Sequence, residues 1–98
     1  MALIDLARVA KGLPEAWRSS VVAEIGQARL RVSRMDGSAY PGETHDYREG
    51  LLVLEGEMLL SVAGELVAVR TGEVYVVEPG VAHAVAPGSH GVLVIFEA

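Results

Sequence analysis

From residue 21 onward, apolar and polar side chains alternate in short runs, the period of two that marks strands with two unlike faces. Residues 21–25 and 28–35 form the first two runs. In the second, apolar positions alternate with basic ones, which predicts a strand whose Arg29, Arg31 and Ser33 face water. Between 43 and 54 the pattern changes midway. Glu43, His45, Tyr47 and Glu49 take every second position ahead of the apolar run Leu51-Leu52-Val53-Leu54. A single strand would turn all four toward the face that Leu51 and Val53 bury. Glu55-Gly56-Glu57 reads as the reversal that ends this strand, with Gly56 at positive φ. Further strands are expected over 58–63, 66–70, 74–77, 83–85 and 92–96. They are separated by Gly64-Glu65, Thr71-Gly72, Glu78-Pro79-Gly80 and Pro87-Gly88. About eight short strands with turn signals at this spacing predict an all-β antiparallel sandwich or small barrel.

The first eighteen residues carry a different pattern. Asp5 suits the N-cap of a helix through Leu6, Ala7, Arg8, Val9 and Ala10, Gly12 suits its stop, and Pro14 opens a second turn through Glu15, Ala16 and Trp17. Residues 1–19 are therefore expected to form a helical segment packed on one domain spanning 20–98, with Trp17 as its packing anchor. If Leu51 and Val53 point inward, Leu52 and Leu54 point outward, and either that segment or a second subunit must cover them.

Composition narrows the function classes. Ninety-eight residues make one domain with a small core. Eight basic against thirteen acidic side chains give a net charge of −5 with no basic cluster, so nucleic acid is not an expected partner. No apolar stretch approaches the roughly 20 residues that span a bilayer, and no secretion signal opens the chain, so a cytoplasmic protein without a membrane partner is expected. With no cysteine, disulfides and thiolate ligands are excluded.

Two carboxylates, an imidazole and a phenol on one buried face are costly without a partner, and a divalent cation fits that chemistry best. Each residue also has a plainer reading. His45 suits an exposed strand end, Glu49 a surface pair with Arg48, His83 a hydrogen-bonded core histidine, Tyr47 a space-filler below the pocket, and His90 a surface loop. Gly56 and Gly72 are explained by turns alone.

The spacing resembles the cupin family, whose first motif reads G(X)5HXH(X)3,4E(X)6G. Gly37, Glu43, His45, Glu49 and Gly56 stand at those intervals, with Glu43 in place of the first histidine. The second motif, G(X)5PXG(X)2H(X)3N, is met by Gly72, Gly80 and His83, with Glu78 and Pro87 where proline and asparagine are usual. The resemblance covers about residues 20–98. It implies a small single-domain cupin, a double-stranded β-helix or jelly-roll barrel, and a homodimer. It also implies that Glu43, His45, Glu49 and His83 are the metal ligands. Glu43 then either completes a site of two histidines and two carboxylates or faces solvent at a strand end.

Nitrogen and oxygen donors without sulfur favour Fe(II), Mn(II), Ni(II) or Zn(II). Three functions follow as expectations. One is a metal-dependent enzyme on a small organic molecule, of dioxygenase, isomerase or lyase type, with Glu49, Tyr47 or Glu43 moving protons. Another is a non-catalytic module that binds or senses a small ligand. The third is a metal-free structural barrel.

Overall fold

A computed structural model describes residues 2–98, so Met1, at the start of the segment expected over 1–19, lies outside the described residues. One helix, α1 (Leu6–Lys11), precedes eight strands: β1 (Ser20–Ile25), β2 (Ala28–Asp36), β3 (Tyr40–Glu43), β4 (Glu49–Val62), β5 (Glu65–Arg70), β6 (Val74–Val77), β7 (His83–Val85) and β8 (His90–Glu97). Among the described residues, the helical content expected of the first eighteen is confined to α1. The Asp5 carboxylate caps it by accepting from the Arg8 amide at 3.1 Å. Residues 14–17 form only a bend and a turn, in which Trp17 takes a positive φ of 68°.

All eight strands join one antiparallel sheet, and β4 organises it. Its first half pairs with β8 on one edge and β6 on the other, while its second half pairs with β7 and β5. The residues read as a turn, Glu55-Gly56-Glu57, therefore do not reverse the chain. β4 runs straight through them, and the register against β8 slips between Val53 and Glu55. That slip inserts one extra residue, a bulge, and a bulge bends a strand while shifting its alternation by one. The shift is visible in the core. Leu51 and Val53 point inward before the bulge and Met58, Leu60 and Val62 after it, all in one cluster with Met35, Val69, Val77, Val85 and Leu93. The sheet thus folds over into two leaves, β1-β2-β8-β4-β6 and β3-β7-β4-β5, with the main core between them.

Glycine makes the bend possible. A Cβ on Gly56 would lie 2.0 Å from the His90 carbonyl oxygen, and one on Gly91 would lie 2.0 Å from that of Glu55. The two glycines are paired in register, with φ of 91° and 109°. Thr71 reaches the bend as well: its hydroxyl accepts from the Gly56 amide and donates to the Gly56 carbonyl, each at 3.0 Å.

Part of the outer face of the first leaf is covered by α1, while Val74, Val76 and Phe96 on that face stay exposed. Ala10, Val32, Val92 and Val94 form a second buried cluster, with Leu6, Val9, Leu13, Leu52 and Leu54 packed against it. Among the described residues no helix is long and apolar enough to cross a membrane.

The alternation expected along β2 is present, but its faces are exchanged. Leu30 and Val32 point outward under α1, whereas Ser33 is 1% exposed, Met35 belongs to the inner core and Arg31 reaches inside. The helix supplies an apolar cover that a strand read alone cannot anticipate. Of the expected wet face, Arg29 does stay exposed, while Arg31 and Ser33 line the interior.

The close crossing at Gly56 yields a comparison. Gly56→Ala should lower the unfolding free energy by about 3 kcal/mol, combining positive-φ strain with overpacking. Gly72→Ala, at φ 84° with nothing within 4 Å of its new Cβ, should cost only about 1 kcal/mol. Equilibrium urea denaturation of both variants measures the difference.

Candidate metal centre

At the open end of the folded sheet, opposite the bend, the inner faces of both leaves turn polar. Glu43 and His83 come from the second leaf, where they stand directly opposite each other across β3 and β7. Glu49 begins β4 in the first leaf and pairs in register with Glu97 of β8. His45 and Tyr47 lie between the leaves. Residues 44–48 are not strand, so the single strand expected over 43–54 is divided: Glu43 ends β3, an irregular link follows, and Glu49 opens β4. The link is clamped to the turn at 78–80. The Gly80 amide donates to the His45 carbonyl at 2.7 Å, and the Arg48 guanidinium grips the Glu78 carboxylate through contacts of 2.8 to 3.1 Å. The glutamate standing where the family motif has proline thus holds the link.

The side chains converge. One donor atom each from Glu43, His45 and His83 lies within 4.8 Å of the other two. Glu43 Oε2 is 3.2 Å from His45 Nε2, so its carboxylate is turned toward the cluster. Glu49 stands beside the same group, with Oε1 at 3.5 Å from His83 Nε2 and Oε2 at 3.9 Å from His45 Nε2. It is also drawn the other way, because the Arg31 guanidinium lies 3.7 Å from its Oε2. Tyr47 stacks on the His45 ring at 4.7 Å between centroids.

His83 carries the clearest sign of a missing partner. Its Nδ1 lies 3.0 Å from the Val81 carbonyl oxygen, a contact that requires the proton on Nδ1. In the neutral ring that leaves Nε2 with a free lone pair, buried and without a hydrogen-bond partner. A carbonyl fixing one ring nitrogen while the other stays bare is the arrangement that prepares histidine to ligate a metal. The donor set, two imidazoles and two carboxylates, suits a divalent first-row cation.

Electrostatics follow from burial. Desolvation pushes the Glu49 carboxyl above its ordinary value, with His45 and His83 opposing, Glu97 adding to the rise and Arg31 opposing. Burial, then the Glu97 and Glu49 carboxylates, push the Tyr47 phenol up. Burial and Glu43 do the same for Tyr40. Both phenols therefore keep their protons at neutral pH.

Next to the cluster lies a cavity of about 100 Å³. Its polar wall includes residues that strand alternation had placed elsewhere or passed over: Arg31, Ser33, Tyr40 and Ser19. Glu97, 5% exposed and paired with Arg31 at 3.0 Å, was also passed over. Its signal was weak: a lone acid two positions beyond Ile95, on the inward phase of the last strand. Trp17 forms another wall. Its ring nitrogen donates to Asp36 and Ser38, its amide donates to the Arg34 carbonyl, and its ring lies 5.6 Å from that of Tyr40. His90 is exposed at the start of β8 and takes no part.

Comparison with known proteins agrees with this architecture. The family model described as the cupin domain matches residues 31–97. A solved cupin-2 domain containing protein from Shewanella frigidimarina superposes with a TM-score of 0.88 at 21% identity, covering 97% of this chain and 93% of that one. A protein from Neisseria meningitidis gives 0.83 at 26% identity with 98% of each chain covered. One from Thermus thermophilus gives 0.83 at 24%, covering 100% and 97%. No curated protein matches the chain.

The raised Glu49 carboxyl has a testable consequence. The folded, metal-free protein holds this proton more tightly than the unfolded chain, so stability falls as pH rises from the ordinary value of 4.5 through the raised one. Glu49→Gln cannot titrate. In chelator, its melting temperature should gain on the parent as pH is raised from about 4 to about 8. A difference that stays constant across that range would contradict the shift.

Proposed function

We propose that this chain, which belongs to the cupin domain family, holds one divalent cation through Glu43, His45, Glu49 and His83 and acts on a small organic molecule in the adjoining cavity. The observation that carries this reading is the bare, buried Nε2 of His83, facing the Glu49 carboxylate at 3.5 Å, with its tautomer fixed by Val81. A bare imidazole nitrogen between carboxylates is a costly arrangement unless a cation completes it.

Once bound, a cation would supply a Lewis acid for oxygen atoms of the ligand. The chain's own residues do the rest. Val81 and the stacked Tyr47 hold the two imidazoles in place. Glu43 and Glu49 offset the positive charge. The Tyr47 phenol, protonated at neutral pH, stands near Glu97 and Glu49 as a proton donor. Leu51, Met58, Leu60 and Leu93 line the cavity with hydrocarbon and limit water there. This division of roles suits a dioxygenase or isomerase reaction on a molecule of few atoms.

Protein purified without an affinity tag, loaded with Fe(II), Mn(II), Ni(II) or Zn(II) and dialysed, should retain about one cation per chain in elemental analysis. His83→Ala and Glu49→Ala should each bind it at least about 100-fold more weakly, a loss at or beyond the upper end for outer-sphere partners. Far-ultraviolet circular dichroism checks that both variants keep the fold. A parent that retains none of the four metals sinks the reading.

A further inference from the structure

Among the described residues, four buried side-chain polar atoms lack a hydrogen-bond partner: Arg31 Nε, Ser33 Oγ, His83 Nε2 and Glu97 Oε2. Native proteins satisfy about nine in ten such groups, so four at one end of one core call for an explanation. Two are acceptors, and the cation reading accounts for the one on His83. The other two are donors, Arg31 Nε–H and Ser33 Oγ–H. They lie two residues apart on the inner face of β2, and both residues line the cavity that also touches Glu43, Glu49 and His83. No described residue answers them.

We propose that Arg31 and Ser33 form a subsite for the carboxylate of a small 2-oxo or 2-hydroxy monocarboxylic acid, whose remaining oxygen faces the cation cluster. This deepens the function proposed above and rests on it. Arg31 is anchored for the task. One terminal nitrogen lies 3.3 Å from the Ser19 hydroxyl, and the other lies 3.0 Å from Glu97 and 3.7 Å from Glu49. The planar guanidinium is thereby fixed, and Nε–H remains as the unused donor. Ser33, 1% exposed, offers a hydroxyl free to rotate toward an acceptor.

The two unanswered donors and the cavity's size select the same ligand class. Arg29 also reaches Glu97, at 3.4 Å. With a dication bound, the carboxylates of Glu43, Glu49 and Glu97 are offset by Arg31 and the metal, while Arg29 stays half exposed at the rim. A carboxylate answers Arg31 Nε–H and Ser33 Oγ–H with two charged acceptors, whereas an ester offers them only weaker, neutral ones. The cavity of about 100 Å³ is somewhat smaller than the roughly 150 Å³ that admits benzene. It therefore suits about four to six non-hydrogen atoms.

The test uses the full chain loaded with Ni(II), titrated calorimetrically with pyruvate, lactate, methyl pyruvate and inorganic phosphate, with nickel measured in the same samples. Pyruvate or lactate should bind at least tenfold more tightly than the ester and than phosphate. Ser33→Ala should weaken the acid about tenfold, since a hydrogen bond to a charged group is lost. It should also raise the melting temperature of the ligand-free protein by about 4 °C, because an unanswered buried hydroxyl has been removed. Arg31→Lys, which keeps the charge but lacks the guanidinium N–H, should weaken the acid by a similar factor. Acid and ester binding alike, neither acid binding, or Ser33→Ala binding the acid as the parent does, each with one nickel per chain, would overturn the subsite while leaving the cation reading intact. Absence of nickel from the parent would overturn both.

Discussion

The molecule is organised by one close approach, where Gly56 of β4 and Gly91 of β8 cross with room for hydrogen atoms only. Fourteen residues in a flat strand would extend over about 45 Å. The site forms because β4 does not stay flat. Seven residues on one side of Gly56 lies Glu49, and six on the other side lies Val62, which pairs with His83. Folding the strand at its middle brings these two ends together, so that Glu49 and His83 stand 3.5 Å apart. The bulge performs a second task at the same point. By shifting the alternation it keeps Leu51 and Val53 in one leaf, and Met58, Leu60 and Val62 in the other, turned into a single core. A strand that bent without the extra residue would place one of those sets in water.

The same core is apolar near the bend and polar at the open end. Glu49 and Glu97, directly opposed across two strands, would repel each other if left alone. Arg31 lies against both, and Arg29 adds a second contact to Glu97. Buried ion pairs seldom add much net stability, since desolvation offsets attraction. Their effect here is positional: the guanidinium fixes where each carboxylate points, and hence which of their oxygens remain for the imidazoles.

Much of the strand layout was legible in the sequence, because two-residue alternation and glycine-containing turns are local signals. Asp5 at the cap, Gly72 in its turn and Leu52 and Leu54 on the outer face follow from such signals. The misread places depend on distant contacts. Glu55-Gly56-Glu57 carries the residues of a reversal, and only the partner strand with its own Gly91 shows that the chain passes straight through. Arg31 and Ser33 obey the alternation, yet which face is interior is settled by α1 covering the other one. The motif spacing brought out Glu43, His45, Glu49 and His83, and these side chains do converge. It carried no trace of Glu97 or of Trp17, which lie outside the motifs, nor of Tyr40, which falls among the first motif's unspecified positions.

Trp17 is the single tryptophan of the chain, and it is held by two side-chain hydrogen bonds, a backbone bond and the Tyr40 ring at the edge of the cavity. Its ultraviolet emission therefore comes from one defined environment. A paramagnetic ion or a small solute entering next door would alter quantum yield and wavelength without any attached dye. The fold thus carries its own optical gauge of occupancy.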